Sequence, residues 1–226
     1  LERGRLDTVS VAGIAVFSAL ATLLAALSQS LGLNFPVVPY LQFDLGEVAI
    51  LMAFFIFGPL PAAASSVVEV AALFAFGQNV PVGPILKLFA LLSTVGGMWL
   101  GSKMALRLKS ATVGRVVGFA ALSGSVVRAA VMTVPNYYIL VFLYPLPVVE
   151  GILKAGFALV GLSVDANVLL WTLGFTALFN VLQLAFVTAL SFAVLRFPPV
   201  ANLKVGGRAP WFVAVTSRAK PPVAPR

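Results

Sequence analysis

Two charged residues stand where charge is expensive. Glu69 lies well inside the apolar run AAASSVVEVAALFAFG, and Arg128 inside VVGFAALSGSVVRAAVMTVPNYYILVF. A charge near the middle of a bilayer costs about 2.5–3.5 kcal/mol on insertion scales, so such residues face a cavity or a partner. They either pair with each other between their two segments or one or both serve a ligand. Asn136 follows Pro135, which removes a backbone donor and tends to kink a helix. An amide at that point offers a donor and an acceptor to a heteroaromatic ring, or else satisfies the broken helix. Asn180 and Gln183, in LFNVLQL, are three residues apart and share one helix face. They suggest a polar pocket or a hydrogen bond between helices. Asp44 and Glu47, in LQFDLGEVAI, are two acids between greasy stretches. A helix N-terminus there would favour negative charge without any ligand.

This set suits binding better than bond making. There is no cysteine and no histidine, which excludes disulfides, thiolate chemistry, histidine metal ligands and Ser-His-Asp triads. No glycine-rich phosphate loop of the GxGxxG or Walker type is present, so the chain does not itself hydrolyse ATP. The expectation is a protein that is not an enzyme, with no metal and no cofactor.

The elements that must position these residues are set by composition. Of 226 residues, 61% are hydrophobic and only 10% charged, with a mean hydropathy of +1.06. A soluble domain carries about a quarter charged residues. The apolar content exceeds what one core can hide, so the surface is apolar and the partner of the net charge of +8 is a lipid bilayer rather than nucleic acid. Six charge-poor segments fit helices crossing a hydrocarbon layer about 30 Å thick. The alternation that marks a membrane β-barrel is absent. The reading is an all-α integral membrane protein with six transmembrane helices in residues 1–196. Residues 197–226 read as a basic, proline-containing tail, loose and solvated. The stretch LYPLPVVEGILKAGFALVGLSVD reads as a long loop with an interfacial or re-entrant helix.

With both termini in the cytoplasm, twelve of the 15 basic residues lie inside, including the Lys103, Arg107, Lys109, Arg115 connection and the tail. Lys87 and Lys154 then fall outside. A seven-crossing path would place the basic tail outside, against the positive-inside rule. Ala15 and Ala19 are four apart on the first segment, as are Ala21 and Ala25, giving faces for internal packing or for a partner membrane protein. The tyrosines and tryptophans, Tyr137 among them, fit an interfacial aromatic belt, and a few could stack on a flat ligand.

In order along the chain, FDLGEVAILMAFFIFGPLPAAASSVVEVAALF, GPILKLFALLSTVGGMWLGSK, VMTVPNYYILVFLYP and LFNVLQL resemble the substrate-binding S component of energy-coupling factor (ECF) vitamin transporters, and most closely its riboflavin-specific branch. The resemblance covers about four-fifths of the chain and omits the tail. It implies a plasma-membrane subunit that binds riboflavin near the outer face and works with a transmembrane coupling protein and two cytoplasmic ATPases. It places ligand contacts at Glu47, Asn136 and Asn180, and contacts to the coupling protein at Ala15 and Ala19. Glu69, Arg128, Tyr137 and Gln183 complete the expected ligand set. Four positions depart from the branch. Gln183 stands where a lysine is usual, Ala72 and Leu73 where a basic residue and an asparagine are usual, and Arg128 where the residue is usually apolar. Another small vitamin such as pantothenate, for which Arg128 would be a counter-charge, remains an alternative ligand. A membrane scaffold subunit with no ligand is the alternative outside the family.

Overall fold

The computed structural model describes residues 7–76, 81–108, 112–143, 146–164, 166–196 and 204–218. Arg3, Arg5, Lys109, Tyr144 and Asp165 lie outside them. Described in order are α1 (Thr8–Ser30), α2 (Gly46–Phe57), α3 (Pro59–Phe76), α4 (Val82–Leu106) and α5 (Val113–Tyr138), which runs into a π-helical turn (Ile139–Leu143). They are followed by α6 (Leu146–Ala158), α7 (Val168–Arg196) and α8 (Trp211–Arg218). Among the described residues the regular secondary structure is all helical, with two isolated β-bridges in the loops. Among the described residues, four helices are long and apolar enough to cross a membrane: Thr8–Ser30, Val82–Leu106, Val113–Leu143 and Val168–Arg196. The chain is an all-α, multi-pass membrane protein.

The pair α2 and α3 has a different character. Twelve residues make α2 about 18 Å long, well short of a hydrocarbon layer. It is apolar all round because it is enclosed all round: every residue from Ala49 to Ile56 is buried. α1, α3, α7 and α8 pack about it. Gly58, at φ 99°, then turns the chain directly into α3 at Pro59, a proline that needs no donor in a first turn.

The closest-packed pair is α4 with α5, and glycine makes the approach possible. A Cβ on Gly97 would lie 2.8 Å from the Gly124 Cα and 2.9 Å from the Val127 Cβ, whereas one on neighbouring Gly96 meets nothing within 4 Å. Small residues let helix backbones meet in a bilayer, where no hydrophobic force drives them together. Gly97→Ala is expected to lower stability by about 1–3 kcal/mol through forced separation of the helices. Gly96→Ala is expected to be neutral or to gain about 0.5–1 kcal/mol from helix propensity. Melting temperatures of the two variants in the same detergent check the contrast.

In the chain's later part the structure adds detail to one expectation and revises another. The awkward stretch after the π-helical turn contains α6, whose Leu153 and Phe157 form a second apolar cluster with Phe35, Val37 and Val38 of the α1–α2 loop and with Val168 and Phe179 of α7. The tail is not loose throughout. Val205 and Arg208 exchange backbone hydrogen bonds across Gly206 and Gly207, both at positive φ, and this tight turn delivers α8 to the bundle. There the Trp211 ring meets Phe54 at 5.3 Å, and Phe212, buried, meets Phe55 at the same separation. Averaged composition reads prolines and charges as solvated, yet a single aromatic pair supplies the apolar face that the end of α2 lacks.

Candidate functional site

Three helix faces converge at the end of the bundle where α2 and α4 begin. On α5, Arg128, Met132 and Asn136 recur at four-residue spacing and so point the same way. On α7, Thr176, Asn180 and Gln183 do likewise, and on α4 Lys87, Ala90 and Thr94. All nine are buried or nearly so.

The Arg128 guanidinium is the hub. Its Nη1 and Nη2 donate to the two Glu47 carboxylate oxygens at 2.5 and 2.8 Å, Nε donates to Asn180 Oδ1 at 2.8 Å, and Nη1 also reaches Thr94 Oγ1 at 3.3 Å. The bidentate pair is the strong form of such a contact, because both planar groups match in geometry. Glu47 is 3% exposed and sits in the first turn of α2. The helix dipole and the ion pair therefore act on it together.

Of the two readings of Glu69 and Arg128, the mutual pair is not formed. Glu69 meets Lys87 Nζ at 2.5 Å, and Lys87 also meets Asp44 at 2.6 Å. The reason is the order of packing: α4 lies against both α3 and α5, so the cation that Glu69 reaches comes from α4. Lys87, expected on the outer side near the start of the fourth segment, stands in the second turn of α4 with its side chain only 13% exposed. The signal that could have found it is numerical, since three acids share this end of the bundle with one guanidinium.

Asp44 is held from several sides. Its Oδ1 accepts at 2.7 Å from the amide of Gly46, the first residue of α2. Gln183 grips its backbone, donating to the Asp44 carbonyl at 2.8 Å and accepting from its amide at 3.3 Å. Ser28 of α1 accepts from the Leu45 amide at 2.8 Å and, through its carbonyl, from Gln42 Nε2 at 2.7 Å. The α1–α2 loop is thus tied to α1 and to α7 at both edges of the site.

These groups surround a cavity of about 230 Å³. Glu47, Arg128, Asn136 and Asn180 line it, as do Asp44, Lys87, Tyr40, Leu73, Met132 and Phe179. Asn136 donates to the Met132 carbonyl at 2.7 Å, and its own Oδ1 has no partner among the described residues. The other expected contacts fall elsewhere. Gln183 fixes the loop, Glu69 stands behind Lys87, and neither lines the cavity. Tyr137 is 42% exposed and packs on Tyr138, since successive helix residues point about 100° apart and only one of Asn136 and Tyr137 can face inward. Ala15 and Ala19 lie on the exposed face of α1, whereas Ala21 and Ala25 are buried against the bundle.

Substitution separates these placements. Asn136→Ala is expected to weaken ligand retention at least tenfold, and Tyr137→Ala to leave it within twofold. Equilibrium binding to the purified variants measures both.

The chain matches no family model, no curated protein and no solved structure.

Proposed function

We propose that the chain is the substrate-binding subunit of a vitamin uptake transporter of the ECF type, an S component in the plasma membrane. The observation that carries this reading is the convergence of Glu47, Arg128, Asn136 and Asn180, from three helices, on one polar cavity inside an otherwise apolar bundle. A membrane protein that keeps such expensive groups around a hollow is built to receive something there. Six passages follow if α2 and α3 count as two short ones, with both termini cytoplasmic. Lys103 lies sixteen residues, or about 24 Å, along α4 from Lys87, so the cavity is at the end away from the basic residues. The positive-inside rule makes that end the outer one. The exposed Ala15 and Ala19 face is available to a transmembrane coupling protein, which would link the subunit to two cytoplasmic ATPases.

Riboflavin is the ligand that the resemblance puts first, and the Asn136 and Asn180 amides with Tyr40 and Phe179 suit a flat, uncharged ring system. A second reading, a smaller vitamin, is favoured by the cavity: drug-sized ligands occupy roughly 300–1,000 Å³, and this hollow is about 230 Å³. Arg128 does not favour an anion such as pantothenate, because Glu47 already neutralises it.

The test is the absorbance spectrum of the detergent-purified protein, with mass spectrometry of whatever is released on denaturation. A yellow preparation that releases one flavin per chain supports riboflavin. A colourless one that fails to quench micromolar riboflavin fluorescence removes riboflavin and leaves the smaller vitamins to be screened.

A further inference from the structure

The charges around the cavity do not balance. Asp44, Glu47 and Glu69 contribute three carboxylates, and Lys87 and Arg128 only two cations. The Arg128–Glu47 pair is closed on itself. The excess lies with Asp44 and Glu69, which share the single ammonium of Lys87. Glu69 is fully buried, and neither of its oxygens has a hydrogen-bond partner among the described residues, the Lys87 contact being ionic. An uncompensated charge in a low-dielectric site is costly. Asn136 Oδ1 adds an unused acceptor to the wall.

The rest of the lining is apolar or aromatic: Tyr40, Leu41, Leu73, Met132 and Phe179. The hollow is far larger than a metal ion needs, and among the described residues no group of three acidic, histidine or cysteine side chains is placed to hold one. The lining offers an organic body contact area and includes the aromatic rings of Tyr40 and Phe179, a group type that attracts cations.

We propose that this cavity takes a small organic cation, an ammonium, an amidinium or a cationic heteroaromatic ring. Its charge balances Asp44 and its neighbours, and its apolar body lies against Tyr40, Leu73, Met132 and Phe179. The proposal rests on the reading of the cavity as a ligand site, and it replaces riboflavin with a positively charged ligand class. Arg128 acts as a spent charge that orients Glu47 and Asn180. Lys87 holds the two carboxylates together while leaving the site with one negative charge in excess.

Benzamidine, benzamide and benzoate have nearly the same shape and differ in charge, so they isolate this term. Melting curves of the full chain in detergent, at matched concentrations near neutral pH, are expected to shift most with benzamidine, less with benzamide and not at all with benzoate. Asp44→Asn keeps an oxygen that can accept from the Gly46 amide and removes the excess charge. It is expected to weaken benzamidine binding at least tenfold. Equal or larger shifts with benzamide or benzoate overturn the proposal on the unaltered protein, whatever the variant's folding. Stoichiometric riboflavin that benzamidine cannot displace also overturns it, and leaves the transport reading standing. If none of the three probes shifts melting, the cation proposal falls, and the ligand-site reading is decided separately by the riboflavin test and the screen of smaller vitamins.

Discussion

Arg128→Met is expected to cost about 3–5 kcal/mol of stability, the range found when one partner of a buried ion pair is removed. Glu47, 3% exposed, would lose both of its charge-assisted hydrogen bonds, and Asn180 Oδ1 would lose its donor. Methionine fills much of the guanidinium's volume, so the loss reports charge rather than a void. The effect reaches three helices at once, because Arg128 on α5 joins α2 through Glu47 and α7 through Asn180. The double variant Glu47→Gln, Arg128→Met removes both charges and is expected to recover most of the loss. Thermal melting in one detergent gives the comparison. A single variant that melts with the unaltered protein would mean that water reaches Glu47 and that the pair contributes little. Ligand binding should fall in the double variant, where Asn180 keeps only its bond to the Thr176 carbonyl and the net charge of the cavity is unchanged.

That contrast also explains how much of the site was legible in sequence. Arg128, Asn136 and Asn180 could be named because each breaks an apolar helix, and polarity at membrane depth is a strong signal. Their convergence is consistent with helical spacing, Arg128 and Asn136 being eight residues apart on one face. Pairing was not legible. Glu69 and Arg128 look like partners when only the two most buried charges are considered, but packing order decides which helices meet, and α4 intervenes. The partners of Lys87 were not legible for the same reason. A lysine in the second turn of a span reads as interfacial until its neighbours are known. Gln183 was right as a polar residue facing inward and different in task, because its amide closes on the Asp44 backbone. Tyr137 failed on rotation, one residue out of phase with Asn136. In the fold, four long helices follow directly from hydropathy. The tail did not, since the docking of Trp211 and Phe212 depends on a bare aromatic surface on α2 that no local pattern reveals.

Lys87→Met should be at least as damaging as the loss of Arg128, and for a different reason. Arg128 neutralises one carboxylate, whereas Lys87 serves two, on elements that would otherwise repel. Its ammonium lies within 2.6 Å of both Asp44 and Glu69. Without it the end of the bundle holds three carboxylates against one guanidinium, and Glu69, with no exposure, has no water to turn to. The expected loss is about 3–5 kcal/mol, as for a broken buried pair. Lys87→Arg is not expected to restore the protein. A compact ammonium reaches two carboxylates as a point charge, and a planar fork needs different directions and more room. Adding Glu69→Gln to Lys87→Met should recover most of the loss, because the remaining acid, Asp44, is partly exposed and keeps its hydrogen bond to Gly46. The ligand readout is carried by charge. Lys87→Met protein that stays folded has a more negative cavity, so it should bind benzamidine more tightly than the unaltered chain does. Melting and binding of Lys87→Met and Arg128→Met, measured together, separate a cluster that only cements helices from one that also sets the charge of the ligand. Parallel losses in stability and binding for both would favour the cement.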